Sequence, residues 1–302
     1  MFKNLTIFRI ASGLDVDADT VAADLGKMPF AATIAESPKS IGWVPPRGHA
    51  HGPLVETING AWVMRFMLET RQVPASVVQR RVDEMAAQIE AATGRKPGKK
   101  ERRDLKEDAV AALLPQAFPR QVATWVWLDP ATKRLVLDTT SMAVADDIIT
   151  ALVKLLEGFS VETLNTATSP SVAMAAWLAD QEGPAGFAIG KACELRSADE
   201  SQAKVRYSNH PLMLEEVKAH IAQGKQPTCL ALEWDDRVGF VLCDNLQLKK
   251  VTFADSVLEQ SKAQGQHADD FDGNVLMATA ELGPLIGDLV DALGGENHAR
   301  PA

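Results

Sequence analysis

The sequence predicts an α+β fold, because strand-like and helix-like segments mix along the chain without a regular βαβ repeat. Alternating apolar and polar residues at 4–10 and the run QVATWVWL at 121–128 are typical of strands. Apolar residues between 78 and 92 instead recur at helical spacing. With 302 residues and 46% hydrophobic content, the chain can bury a sizeable core and suits two or three modest domains.

The N-terminal third begins with the predicted strand at 4–10. Residues 17–25 follow as a short helix, with Asp17 or Asp19 available as its N-cap. The segment INGAWVMRFML at 58–68 predicts another strand.

A helical hairpin is predicted next. Ser76 with Gln79 three residues later has the spacing of a capping box, and the helix that follows should stop at Gly94. The turn 94–98 leads into a second helix at about 99–113, which would run antiparallel to the first.

The remaining elements are predicted from the same periodicities. Strands at 121–128 and 134–139 should form a β-hairpin, and strands at 228–234, 238–243 and 246–253 should pair in turn. Helices are expected at 145–156, 169–179 and 274–293, the last ending at the glycine pair 294–295.

One basic segment contrasts with the acidic chain that contains it. Between residues 95 and 106, seven basic and two acidic residues give a formal charge of +5 against a total of −9, so the rest carries −14. A binding surface responds to the local field, so this asymmetry favours a cationic face on an acidic body. The seven basic residues are Arg95, Lys96, Lys99, Lys100, Arg102, Arg103 and Lys106.

Four of these residues, which we call the basic stripe, fall at i, i+3, i+4 and i+7 on the second hairpin helix: Lys99, Arg102, Arg103 and Lys106. A stripe of this kind suits phosphate oxygens, whose neutralisation dominates affinity for a duplex without reading its sequence. A solvated helix face is the ordinary alternative. A phosphate loop is excluded, because Gly94 and Gly98 are too close together and no Ser or Thr follows Lys99.

No motif in the sequence indicates a catalytic, metal or cofactor site. His49 and His51 lie in a turn-like segment without carboxylate or thiolate ligands, so we expect surface histidines. The carboxylates at 269, 270 and 272 lack the spacing and the closing Glu of a calcium loop. We therefore expect no catalytic residue, no metal and no cofactor.

The cysteine content and the apolar runs bear on the compartment. Three cysteines without a C-x-x-C pair indicate reduced thiols, buried as small hydrophobic side chains, in a cytoplasmic protein. Residues 1–15 do not resemble a signal peptide, and no apolar run approaches the length of a membrane helix.

Phe118 lies between Pro115 and Pro119, just beyond the basic helix. A core position is the ordinary interpretation of an aromatic residue in an apolar-flanked turn. The alternative is an exposed anchor at a protein interface or a platform on which bases stack.

Six blocks, in this order and spacing, resemble the RdgC family of bacterial recombination-associated proteins along the whole chain. They are MFKNLTIFRI at 1–10, IGWVPPRG at 41–48, the basic hairpin, LLPQAFPR at 113–120, LALEWDDRVGFVLCDNLQLKKVTFAD at 230–255 and DDFDGNVLMATAELGPLIGDLVDALGGE at 269–296.

The resemblance implies a non-enzymatic, nucleoid-associated protein that encircles duplex DNA as a ring-shaped homodimer and restrains RecA. It implies a horseshoe-shaped protomer with mixed sheets and a protruding helical hairpin. The domains would be a central one (1–74 and 121–165), a helical tip (75–120) and a base (166–302). Encirclement would allow a net-acidic chain to hold DNA with only a basic inner wall, and the two-fold contacts would be isologous.

The resemblance also assigns site residues. The seven basic residues of the hairpin and Arg120 would contact duplex DNA, and single-stranded DNA is expected to bind as well. Phe118 would lie at the tip contact of the homodimer with Gln116, which replaces a basic residue of the family, and with Asn209 and His210 of the less basic stretch RYSNHPL at 206–212.

Two other classes of function compete with DNA encirclement. The basic helix could dock an acidic protein, which would make the chain an interaction adaptor. A metal-dependent nuclease would need an acidic cluster near the basic face, and the sequence does not place one there.

Overall fold

A computed structural model describes residues 1–12, 16–33, 37–263 and 271–297. The strands are β1 (Leu5–Ser12), β2 (Lys39–Val44), β3 (Glu56–Ile58), β4 (Ala61–Arg71), β5 (Pro119–Asp129), β6 (Arg134–Asp138), β7 (Ser160–Thr163), β8 (Phe187–Ser197), β9 (Lys204–Tyr207), β10 (Lys225–Trp234), β11 (Val238–Cys243) and β12 (Leu248–Phe253). The helices are α1 (Ala18–Leu25), α2 (Ala75–Thr93), α3 (Lys99–Leu113), α4 (Met142–Leu155), α5 (Pro170–Asp180), α6 (Glu215–Ala222), α7 (Asp255–Ala263) and α8 (Phe271–Ala292), with a 3₁₀ turn at Leu114–Gln116.

The strands form one extended sheet in the order β2-β4-β5-β6-β1-β12-β11-β10-β8-β9, with β3 beside β4 and β7 beside β1. Strands β1 and β12 join the two halves of this sheet through the single pair Leu5 and Leu248. The α+β class is confirmed. The expectation of mixed sheets was wrong, because the named strands in the described part of the chain all pair antiparallel, as short connections between successive strands favour.

Buried apolar side chains form three clusters. One lies between the N-terminal half of the sheet and helices α1 and α4, and includes Phe66 and Ile148. The largest joins α5, α6 and α8 to strands of both halves, and includes Leu230 and Leu285. The third holds α2 against α3.

Helix α8 connects the two halves of the sheet. Its buried residues pack in the same cluster as Trp127 of β5 and Leu232 of β10. Near its start, the ring of Phe271 contacts Trp125, and the guanidinium of Arg47 lies 4.7 Å from the centroid of the Phe271 ring. The terminal helix therefore reinforces a junction where the sheet itself contributes one residue pair.

Most predicted elements are present, with local corrections. Asp17 caps α1, and its side chain accepts a hydrogen bond from the Thr20 amide. The strand expected at 58–68 begins at Ala61, because Asn59 and Gly60 have positive φ angles and form a turn with β3. The capping box at Ser76 was wrong: Pro74 occupies the N-cap of α2, and Gln79 instead donates to Asp83.

In the described part of the chain, no helix is both long enough and apolar enough to cross a lipid bilayer.

Candidate nucleic-acid interface

The tip hairpin, by which we mean α2, α3 and the turn 94–98, extends from one end of the β4–β5 ladder. These two strands pair from Trp62 and Leu128 to Arg71 and Pro119, so the chain leaves and re-enters the sheet at one place. Both helix boundaries at the turn match the prediction, and Gly94 ends α2 with a φ of 69°, in the left-handed region that glycine favours.

A small apolar core holds the hairpin together. Val78 and Val82 of α2 are 4% exposed, and Ala109 of α3 is fully buried among them. Leu105 completes this core at 9% exposure. Because these residues occupy one side of α3, the basic side chains of that helix are directed away from α2 or along its edge.

The start of α3 is fixed by one carboxylate. Glu101 accepts hydrogen bonds from the Gly98 amide at 2.8 Å and from both terminal nitrogens of Arg95, at 2.7 and 2.8 Å. The Arg95 guanidinium, followed by the Gly98 amide, lowers the pKa of Glu101 to about 2 from its ordinary 4.5. Arg95 therefore helps to order the turn and is already paired.

The residues of the basic stripe are all exposed, but two of them lie next to carboxylates. Arg102 lies 3.6 Å from Asp83 of α2, and Arg103 lies 3.3 Å from Glu107 one turn later. Four lysines have no ion pair within the described residues: Lys96, Lys99, Lys100 and Lys106. On α3 and the turn 94–98, these lysines thus carry the positive charge that no ion pair neutralises within the described residues.

An apolar cleft of about 690 Å³ lies beside the stripe, at the end of α3. Val110, Leu114 and Pro115 line it, and the stems of Arg103 and Lys106 form its rim. The cleft places apolar surface directly next to cationic side chains.

The core interpretation of Phe118 was wrong, because its side chain is 92% exposed. Arg71 explains this position: it donates to the carbonyl of Ala117 at 3.0 Å and to that of Pro115 at 3.4 Å. The turn is therefore held to the sheet by its backbone, and the ring projects outward.

A buried carboxylate supports Arg71 in turn. Thr33 accepts a hydrogen bond from Arg71 Nε at 2.9 Å and donates from its amide and hydroxyl to Glu69, which is 1% exposed. Gln121 donates to the other oxygen of Glu69 at 2.7 Å. These hydrogen bonds lower the pKa of Glu69 and keep it ionised, and the one from the Thr33 hydroxyl has the largest effect.

The other expected interface residues lie in two separate places. Gln116 and Arg120 are exposed beside Phe118. Asn209 and His210 are exposed after β9, at the opposite edge of the sheet from β2. The backbone amide of His210 donates a hydrogen bond to the carbonyl oxygen of Lys191, and the His210 ring lies 5.7 Å from the Tyr207 ring. Within one protomer, the fold does not bring these two residues to the tip hairpin.

The sequence prediction overlooked a second group of basic residues. Strands β8 to β12 have an apolar face with Leu230 and Leu242, packed in the largest cluster, and a second face that we call the polar face. The basic residues that strand alternation places on the polar face are Arg196, Lys204, Arg206 and Lys249. Glu194 offsets part of this positive charge, because it lies 3.9 Å from Arg196 and 3.5 Å from Lys204.

Within the described ranges, no group of three or more His, Cys, Asp or Glu side chains could hold a metal ion. His49 and His51 are exposed, as expected for surface histidines. Asp269 and Asp270 lie outside the described residues, so the prediction about that acidic segment stays a prediction.

The fold and the site define a class: an α+β protein with an extended antiparallel sheet and an exposed cationic hairpin. Over residues 1–296 the sequence matches the family described as "Putative exonuclease, RdgC". A protein of Dechloromonas aromatica (strain RCB) named "Recombination-associated protein RdgC" is 41% identical over 299 residues, which cover 98% of each chain. The protein of the same name from Herminiimonas arsenicoxydans is 40% identical over 296 residues, again covering 98% of each chain. The chain belongs to the RdgC family.

Proposed function

We propose that this protein binds duplex DNA without sequence preference, as a homodimer that encircles the duplex and restrains strand exchange by RecA. The observation that carries the proposal is the set of four exposed lysines on the tip hairpin that form no ion pair with any described residue. Flexible ammonium groups on a packed helix neutralise phosphates and carry no information about bases. The relatives named for recombination support the same assignment.

In this proposal the chain divides into a central domain (1–74 and 121–165), a tip (75–120) and a base (166–302), which together give a horseshoe. The separate apolar core of the tip hairpin supports the division between the central domain and the tip. The lysines of the tip and the polar face of the base sheet would form the basic inner wall. Single-stranded DNA would bind the same wall, and the protein would be associated with the nucleoid.

The exposed ring of Phe118 supports self-association through the tips. An isologous contact would place Phe118 of one copy against apolar surface of the other, and the cleft lined by Val110 and Leu114 offers such surface. We expect Phe118→Ala to weaken dimerisation at least about tenfold, as loss of an aromatic anchor does, without lowering the free energy of unfolding. Sedimentation equilibrium measures the association constant. Val153→Ala, which truncates another exposed apolar residue, is the matched control.

Encirclement is tested by topology. The dimer is loaded on linear and on closed-circular DNA, and both complexes are challenged with high salt. A ring slides from free ends but stays on circles, so retention on circles alone is expected. Equal loss from both forms would refute encirclement and leave simple binding in place.

A nuclease is the second candidate, because the matched family carries the words "Putative exonuclease" in its description. We propose a non-enzymatic role, consistent with the recombination-associated relatives. Incubation of end-labelled DNA with the protein and Mg²⁺ or Mn²⁺ separates the two: progressive loss of nucleotides would favour the nuclease. An adaptor that docks an acidic protein would instead show binding to acidic peptides and none to DNA.

A further inference from the structure

Two cysteines that are distant in sequence face each other on the polar face of the base sheet. Cys229 of β10 and Cys243 of β11 are direct cross-strand partners, and their sulfur atoms are 3.0 Å apart. The sequence prediction treated all three cysteines as isolated small hydrophobic residues. The prediction of buried thiols holds for Cys193 and Cys243, which are 4% and 2% exposed, whereas Cys229 is half-buried. The prediction missed that Cys229 and Cys243 are neighbours.

The register of the pair suits a disulfide. The amide of Asp244 donates to the carbonyl of Thr228 at 3.0 Å, so the ladder hydrogen bonds flank the two cysteines instead of joining them. Residues at such a position have Cα atoms about 4.5 Å apart, inside the range of about 4.4–6.8 Å that disulfides span. The backbone already holds the geometry that an intramolecular bond requires.

The pair lies beside basic residues, with Cys229 half-buried and Cys243 2% exposed. Cys229 and Cys243 line a cleft of about 340 Å³, which Cys193 and the basic residues Arg196, Arg206 and Lys249 also line. The two sulfurs are within hydrogen-bonding distance, and the hydrogen bond between them, together with the nearby Lys249 ammonium, lowers the pKa of the Cys243 thiol below its ordinary value. A thiolate beside a cation and a second thiol is the arrangement that reacts with oxidants.

We propose that Cys229 and Cys243 form a peroxide-sensitive dithiol that closes reversibly to an intramolecular disulfide. The Cys243 thiolate attacks one oxygen of hydrogen peroxide, the O–O bond breaks, and the other oxygen leaves as hydroxide, which takes up a proton to give water. The Cys229 thiol then loses its proton and attacks the sulfenic sulfur, which releases a second water. In sum, two thiols and one hydrogen peroxide give one disulfide and two waters. Exchange with two small thiols restores the dithiol.

Cys193 supplies an internal comparison. It lies on β8, in register with Leu230 on the apolar face of the same sheet, and burial raises the pKa of its thiol to about 12. A thiol whose pKa is raised in this way stays protonated and reacts slowly.

The test treats the reduced full-length chain with hydrogen peroxide and counts thiols after denaturation. We expect the count to fall from three to one per chain, with a peptide map that links Cys229 to Cys243 and a mass loss of two hydrogen atoms. Cys193→Ser should lose both of its thiols in the same way. Cys229→Ser should instead give a sulfenic acid at Cys243 that dimedone captures.

Three outcomes would overturn the proposal. The wild-type chain could keep its three thiols under peroxide. It could form links that involve Cys193, or links between chains. The peptide map of the oxidised wild-type protein alone distinguishes these results from the expected disulfide between Cys229 and Cys243. The test therefore does not depend on the folding of a variant.

Discussion

Removal of two unpaired lysines from the tip hairpin should flatten the salt dependence of DNA binding. Lys99 and Lys106 are one heptad apart on α3, so they lie about 10 Å from each other along the helix axis on one face. Each phosphate contact contributes about 0.9 to the slope of log affinity against log salt. The variant Lys99→Ala/Lys106→Ala should therefore lose about 1.8 of slope per chain, or about 3.6 per dimer.

The assay is fluorescence anisotropy with a labelled duplex of arbitrary sequence, titrated at several salt concentrations between about 50 and 200 mM. The matched control is Lys133→Ala/Lys154→Ala, which removes the same charge from exposed positions, between β5 and β6 and in α4, that form no ion pair within the described residues. The control should keep the wild-type slope. An unchanged slope in the hairpin variant, or an equal decrease in both variants, would refute the assignment of these lysines to the DNA contact.

Two further predictions concern the stability of the hairpin. Because the folded-state pKa of Glu101 is about 2 against an ordinary 4.5, the stabilisation by its carboxylate should be complete above the ordinary value and lost as the pH falls toward 2. Circular dichroism between these pH values should show a smaller loss of helix in Glu101→Gln than in wild type, and parallel curves would contradict the cap. Leu105→Ala should cost about 2–3 kcal/mol of local stability and speed amide hydrogen exchange across α2 and α3. The control Leu258→Ala truncates a residue that is 36% exposed and should change the exchange rates little. Equal effects of the two substitutions would contradict the hairpin core.

Local periodicity was sufficient to predict the class of the fold and most elements of the hairpin. The turn 94–98 and helix α3 were predicted correctly, because Gly94, Pro97 and the spacing of Val78 and Val82 act within a few residues. Long-range features were not accessible in this way. The pairing of β1 with β12 joins residues more than 200 positions apart through one pair, and no local pattern encodes that choice.

The candidate site shows the same division. The exposure of the stripe followed from helical spacing, but the neutralisation of Arg102 by Asp83 depends on how α2 and α3 pack. A core position was the ordinary interpretation of Phe118 from its apolar neighbours in sequence, with an exposed interface anchor as the alternative that the family resemblance favoured. The hydrogen bonds from Arg71 that turn its ring outward come from a strand more than 40 residues earlier. The alternation of Lys204 and Arg206 was an available signal for the polar face, and it was too short to stand out.

The backbone anchoring of the turn at 114–118 separates two kinds of evolutionary constraint. Arg71 and Glu69 satisfy the buried polar groups of this region without any contribution from the Phe118 ring, which is 92% exposed. Folding therefore places almost no demand on the identity of residue 118, whereas it requires the side chains of residues 69 and 71. If Phe118 anchors the proposed homodimer, substitutions at 118 among related chains should track changes in the partner surface, and drift there would mark a lineage in which that association has been lost.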